Sequence, residues 1–73
     1  MGTVQEESVT FEIWEVPIHN EPERFKGVFP SAHAALEQAN EWNDEESENA
    51  KMEFRRRRRD FLVYEARTTR TLF

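Results

Sequence analysis

Five consecutive arginines, Arg55–Arg59, are the residues of this sequence best suited to bind a ligand. A guanidinium group donates paired hydrogen bonds to phosphate oxygens, and each phosphate contact adds about one unit to the salt dependence of binding. Lys51, Arg67 and Arg70 are close enough in sequence to widen such a patch. The run predicts either phosphate contact or neutralisation of the acids of Asp44–Glu48 within the same molecule.

Catalytic chemistry lacks its usual residues. The sequence has no cysteine, and its histidines are His19 and His33. Ser8, Ser31 and Ser47 lack the neighbouring glycines of a nucleophile elbow. We therefore expect a protein that is not an enzyme.

A loop with one histidine, His19, and two glutamates, Glu21 and Glu23, is the nearest approach to a metal site. Without a second histidine or a cysteine, this set is more typical of a polar loop. Gly2 and Gly27 are the two glycines of the chain, which excludes a glycine-rich phosphate loop. We expect no metal, no cofactor and no small-molecule substrate.

Charge is divided unevenly along the chain, whose net charge is −5. Residues 1–50 carry twelve acids against Arg24 and Lys26, whereas residues 51–73 carry eight bases against three acids. The overall negative charge opposes long-range attraction to nucleic acid, and the arginine run contains no aromatic residue for base stacking. We therefore expect a protein partner, either a second copy or a larger host protein, with nucleic-acid binding through Arg55–Arg59 as the alternative.

The acidic half of the chain suggests a further alternative. Its carboxylates could imitate a phosphate backbone and occupy the basic groove of a nucleic-acid enzyme. In composition the chain resembles the small, acidic, cysteine-free inhibitors that phages encode. An inhibitor or adaptor that binds a larger protein is thus one form of the expected interaction.

The length of 73 residues predicts a single domain. A core of this size seldom contributes more than about 3 to 5 kcal/mol, so good packing or a partner is needed. The absence of cysteine favours a reducing cytosol. No apolar stretch approaches the roughly 20 residues of a membrane span, and Met1–Ser8 lacks a signal pattern, so we expect a cytoplasmic protein.

A first strand is predicted from Val9 to about Ile18, preceded by a disordered segment over residues 1–8. Phe11 and Ile13 alternate with polar residues at the period of a half-buried strand. Trp14 falls on the opposite face, which predicts that this second face is not purely polar.

A second strand follows a loop that begins at Pro17. Phe25, Gly27 and Phe29 alternate with Lys26 and Val28, and we expect the first three to share one face. Glycine inside a strand often marks a bulge, so Gly27 is a candidate for one.

A helix is predicted to begin after Ser31, whose hydroxyl is suited to cap its first turn. Helix-dipole and charge-pair patterns extend it to about Arg57, either continuous or broken near Asn43. The alternative is an acidic loop over residues 43–49 followed by a strand. Small apolar residues form the predicted buried stripe: Ala32, Ala35, Leu36, Ala39 and Trp42 or Asn43.

A third strand is predicted from Asp60 to about Leu72. Because a helix crosses right-handedly between parallel strands, the order β-β-α-β predicts an α+β domain over residues 9–73, with an antiparallel sheet ordered 2-1-3. One helix covers one face of this sheet, and we expect the other face to expose Trp14, Leu62 and Tyr64. We expect the partner-binding residues to be Trp14 and Tyr64, together with Arg55, Arg56, Arg57, Arg58 and Arg59.

Overall fold

The computed structural model describes the backbone over residues 4–72 and the side chains over residues 7–68. Its elements are β1 (Val4–Pro17), β2 (Arg24–Phe29), α1 (Ala32–Met52) and β3 (Arg59–Leu72). The strands form one sheet in the order β2-β1-β3, and β1 is antiparallel to both neighbours. The predicted α+β class, strand order and orientation are confirmed.

The pairing of β1 with β3 extends over the full length of both strands. It begins with Val4 opposite Leu72 and ends with Pro17 opposite Arg59. β2 pairs only with Phe11–Glu15, in the second half of β1. Residues 4–10 and 66–72 therefore form a two-stranded arm beyond β2. The molecule is elongated and measures 65 × 26 × 11 Å.

The first strand begins earlier than the alternation of apolar residues predicts. β1 starts at Val4 instead of Val9, so Val4–Ser8 belong to a strand and not to a disordered segment; residues 1–3 lie outside the described part. The segment has no alternating pattern of its own, but Gln5–Ser8 pair with Thr68–Thr71, a stretch rich in β-branched threonine. Long-range pairing thus sets this boundary.

β2 contains a bulge at the predicted place. Gly27 lies opposite Ile13 and Phe25 lies opposite Trp14, so Lys26 is an extra residue with no partner in β1. The expectation that Phe25 shares a face with Phe29 is wrong, because the bulge reverses the alternation between them.

The helix begins as predicted. The Ser31 hydroxyl accepts a hydrogen bond from the amide nitrogen of Ala34 at 3.2 Å. From Ala32 the helix continues without a break through Asn43 to Met52. The acidic segment is therefore helical, and the alternative of a loop followed by a strand is wrong.

The helix ends five residues before the predicted Arg57, in a Schellman turn. Phe54 adopts a positive φ of 52°, its amide donates to the Lys51 carbonyl at 3.2 Å, and the Arg55 amide donates to the Ala50 carbonyl at 2.9 Å. The helical charge pattern continues past this point, but the chain leaves the helix axis. Hydrogen bonds to Glu46 fix the Arg55 side chain and the Arg58 amide beyond the end of the helix.

The core lies between α1 and the middle of the sheet. Ile13, Ala35 and Ala39 are its buried centre, which confirms that an alanine-rich helix face approaches the sheet closely. Ala32 and Leu36 were predicted in this stripe, but both are exposed, and Leu36 is 51% accessible. Larger partly buried side chains surround the centre: Phe11, Phe29, Trp42, Phe61 and Val63.

Within residues 4–72, no helix is both long enough and apolar enough to cross a membrane. The 21 residues of α1 have the length, but they include many charged side chains.

Candidate functional site

The face of the sheet opposite α1 carries a row of apolar side chains. It is called the open face here and consists of Trp14, Phe25, Val28, Leu62 and Tyr64. Phe25, Val28, Leu62 and Tyr64 are between 42% and 56% accessible, and Trp14 is half-buried. The open face crosses all three strands.

Strand register places these side chains next to one another. Because Ile13 points into the core, its neighbour Trp14 must point the other way. Trp14 lies opposite Leu62 on β3 and opposite Phe25 on β2. The Trp14 and Phe25 rings meet edge to face with centroids 5.6 Å apart, a favourable aromatic geometry.

The carboxylate of Glu12 shares the open face, and it is already hydrogen-bonded. The indole nitrogen of Trp14 donates to Oε1 of Glu12 at 3.0 Å. Glu12 also lies between Tyr64 and Val28 in the strand register. The contact orients the indole ring and satisfies part of the hydrogen-bonding capacity of the carboxylate.

Arg55, the first residue of the arginine run, is held by the helix. Its Nη1 and Nη2 atoms donate to the two carboxylate oxygens of Glu46, each at 3.2 Å, and Arg55 also contacts Glu53. Glu46 is only 6% accessible and accepts a third hydrogen bond from the Arg58 amide at 3.3 Å. This one carboxylate therefore fixes the chain between the helix and β3.

Arg57 and Arg59 also point toward acceptors of their own chain. Arg57 lies 2.6 Å from Oδ1 of Asp60 and donates to Oδ1 of Asn43 at 3.1 Å. Arg59 lies 3.0 Å from Oε1 of Glu15, a carboxylate that is 7% accessible. Glu15 and Glu46 thus lie buried between the helix and the sheet, each next to a guanidinium group.

Asn43 joins the helix to β3 without any charge. Its Nδ2 donates to the Phe61 carbonyl at 3.0 Å, and its Oδ1 accepts from the Phe61 amide at 2.8 Å. A single side chain therefore satisfies both backbone groups of a residue at the outer edge of β3.

The run alternates because it is extended and not helical. Arg55, Arg57 and Arg59 face the molecule, whereas Arg56 and Arg58 are exposed. Two of the five arginines thus face outward, and the prediction that the helix continues into the run as far as about Arg57 is wrong. Three guanidinium groups neutralise acids of the same molecule, and one of those acids, Glu46, lies in the segment Asp44–Glu48.

Hydrogen bonds from Arg55 control the ionisation of its two acids. They lower the pKa of Glu46, while burial opposes this effect and the Arg58 amide adds to it. The pKa of Glu53 is also lowered by the hydrogen bond from Arg55. The pKa of Arg55 itself is raised by the same two carboxylates. The cluster is therefore fully ionised at neutral pH.

The turn that follows α1 displays an aromatic side chain that the sequence did not single out. Phe54 is 98% accessible, and its left-handed conformation is one that favours glycine. Met52, two residues earlier, is also largely exposed. The sequence offered no signal for this feature, because it depends on where the helix ends.

Sequence reasoning placed Trp14 and Tyr64 on the same face, and the structure brings them together with Leu62. It missed Val28, although simple alternation places that residue opposite Phe29. It also missed Phe25, which required the bulge. The arginine run is separate from the open face and does not extend it.

Among the residues described in full, no three histidine, aspartate or glutamate side chains are placed to hold a metal ion. The chain matches no known protein family, no curated protein and no solved structure. Its function must therefore be argued from the two surfaces themselves.

Proposed function

We propose that this protein is a non-enzymatic interaction module that binds a second copy of itself through the open face. The observation that carries the proposal is the apolar row that crosses all three strands, Phe25, Trp14 and Leu62, with Val28 and Tyr64 beside it. Contiguous apolar patches on small proteins usually mark contact surfaces, and aromatic side chains are favoured as their anchors.

The size of the domain supports a partner on this face. One helix covers one side of the sheet, so folding of the monomer buries the apolar side chains of the other side only in part. A second sheet at about 10 Å would bury them in the way that paired sheets do in β-sandwiches. Trp14 and Tyr64 would lie at the centre of that contact.

The distribution of charge favours a second copy over other occupants. Two molecules of net charge −5 repel each other, and the repulsion is smallest when they meet through surfaces that carry few charges. Among the strand residues whose side chains are described, alternation places two carboxylates on this side of the sheet, Glu12 and Asp60; the first is bound to Trp14 and the second to Arg57. The outer surface of α1 carries five exposed acids: Glu37, Glu41, Asp44, Glu45 and Glu48.

Face-to-face pairing would place these acidic helices on the two outer sides of the dimer. The two sheets alone would separate them by about 10 Å, which exceeds the Debye length of about 8 Å at physiological salt. The pairing therefore brings together the least charged surfaces and keeps the most charged ones apart.

The two-stranded arm gives a second reason for association. An isolated two-stranded ribbon is at best marginally stable in water, and β2 does not pair with the arm. At about 3.4 Å per residue the 14-residue strands are about 48 Å long. A second copy that packs along the open face would also extend over the arm.

Sedimentation velocity or light scattering, from about 1 μM to about 1 mM, tests self-association. Leu62→Glu places an unpaired charge at the centre of the open face, and we expect it to weaken the dimer by about 100-fold. Leu36→Glu is the matched control, because Leu36 is a leucine of similar accessibility on the helix. It should leave association unchanged.

Two outcomes contradict the proposal. One is a wild-type chain that stays monomeric at the highest concentration, in which case a larger protein becomes the expected occupant of the open face. The other is an equal loss of association in Leu62→Glu and Leu36→Glu. That result would show that an added negative charge weakens association wherever it lies on the surface.

Nucleic-acid binding through the arginine run is the second candidate, and it is supported by the exposure of Arg56 and Arg58. Two free guanidinium groups would give a salt dependence of only about two units. Titration of labelled single- and double-stranded oligonucleotides at low salt tests it. Absence of binding there removes this candidate.

A further inference from the structure

A polar cleft lies at the end of the sheet away from the arm. It has a volume of about 400 Å³ and is called the end cleft here. Its walls come from the end of β1, the loop that follows, the start of β2 and the start of β3. The lining residues are Glu15, Pro17, His19, Glu21, Arg24, Arg58 and Arg59.

The backbone around the end cleft is fixed by hydrogen bonds. The Ile18 amide donates to the Arg58 carbonyl at 2.9 Å, which joins the loop to the start of β3. On its other side, the Arg58 amide donates to Glu46 at 3.3 Å. Arg58 is therefore held at both backbone groups while its side chain remains exposed at the cleft.

The charges that line the end cleft do not cancel. Arg59 and Glu15 form an ion pair at 3.0 Å, which neutralises the buried carboxylate. Among the residues described in full, no carboxylate oxygen lies within 4.0 Å of the guanidinium nitrogens of Arg24 or Arg58. Glu21 is the second acid of the lining, and it lies on an exposed loop.

We propose that the end cleft binds a phosphate monoester, with Arg24 and Arg58 as the contacting side chains. A phosphate dianion has several acceptor oxygens and can bind two guanidinium groups at once, each through paired donors. Arg59 supplies a third guanidinium group in the wall, of which Nη1 is engaged by Glu15. His19 adds an imidazole N–H donor to the lining.

The size of the cleft suits this ligand class. A volume of about 400 Å³ lies at the lower end of the range for small-molecule sites, about 300 to 1,000 Å³. The phosphoryl group has two sources with the same chemistry, a free metabolite or a phosphorylated side chain of a partner. This site is independent of the open face, so it does not rest on self-association.

Chemical-shift titration by NMR tests the site, with signals of the backbone amides and of the arginine Nε groups. Inorganic phosphate is the first probe, and sodium chloride at equal ionic strength is its control. We expect saturable shifts at His19, Arg24 and Arg58. Arg58→Gln should weaken phosphate binding by about tenfold or more, because it removes one charge-assisted contact.

Arg56→Gln is the matched variant for this experiment. Arg56 is an exposed arginine two residues from Arg58 that does not line the end cleft. It removes the same charge, so it should leave the affinity for phosphate close to that of the wild type. Equal loss in both variants would overturn the proposal, because it would show attraction to net charge alone.

The source of the phosphoryl group is settled by two further probes, a short phosphoserine peptide and its unphosphorylated form. Tighter binding of the phosphopeptide than of inorganic phosphate indicates a phosphorylated partner, and equal binding indicates a free phosphate monoester. Shifts that do not saturate with any phosphate probe, or that sodium chloride reproduces, overturn the proposal.

Discussion

The two faces of this sheet distribute polarity in opposite ways. The covered face hides Glu15 and Glu46 beside the core, each next to an arginine, while the open face exposes tryptophan, phenylalanine and tyrosine. Burial of a carboxylate is tolerated only when its charge is compensated, and Arg55 and Arg59 provide that compensation. The apolar side chains of the open face have no such cover within the monomer.

This difference suggests that one face stabilises the fold and the other serves association. On the covered face, charged groups hold the segment between α1 and β3 in place, so substitutions there should act on stability. On the open face, the side chains contribute little to the fold, so substitutions there should act on association. The following predictions test this separation.

The largest expected effect is on the covered face. Ile13→Ala removes the fully buried side chain at the centre of the core and should lower the free energy of unfolding by about 3 to 4 kcal/mol. Leu62→Ala on the open face should lower it by less than about 1 kcal/mol at low protein concentration. Urea denaturation followed by circular dichroism measures both. Similar losses in the two variants would contradict the separation of roles.

Glu46→Gln should have the next largest effect. It keeps the size of the side chain but removes the charge that holds Arg55 and the Arg58 amide. We expect a loss of about 2 kcal/mol in the free energy of unfolding at pH 7, as for hydrogen bonds to a charged group. Glu48→Gln, an exposed position on the same helix, is the control and should lose little.

The loss in Glu46→Gln should depend on pH in a defined direction. Because the folded-state pKa of Glu46 lies below its ordinary value of 4.5, ionisation stabilises the folded chain. That stabilisation is complete above the unfolded-state pKa and disappears as the pH falls through the folded-state pKa. Denaturation of both chains from pH 7 to below pH 4.5 should show the difference shrinking. A difference that stays constant over this range would contradict the role of the charge.

The smallest effect has the opposite sign. Phe54→Gly replaces a residue with φ of 52° by the residue that adopts this conformation without a steric cost, and it should stabilise the chain by about 0.5 to 1 kcal/mol. Phe54→Ala keeps the Cβ atom and should give no such gain. Thermal denaturation compares the two variants. A gain in Phe54→Ala equal to that in Phe54→Gly would point to exposure of the ring and not to backbone strain.

Much of the fold was predictable because local signals agreed with it. Alternation around Ile13 identified the central strand, Ser31 identified the start of the helix, and crossover handedness gave the strand order. The same alternation placed Trp14 and Tyr64 on the open face. The part they play in binding stays a prediction.

The remaining features depend on contacts that are distant in sequence. Helix propensity and charge spacing favour helix to Arg57, but Glu46 reaches past the end of the helix to Arg55 and the Arg58 amide. That contact cannot be read from local spacing. The bulge at Lys26 was predictable from Gly27, yet its effect on the facing of Phe25 needs the register with β1.

The full-length pairing of β1 with β3 also constrains how the chain folds. Even the pair that is nearest in sequence, Pro17 with Arg59, closes a loop that contains both β2 and α1. Such non-local contacts slow folding, because the entropy of loop closure is lost before the strands are joined. During synthesis on the ribosome, β1 is made before β3. The edge of β1 that pairs with β3 therefore stays unpaired until β3 has been translated.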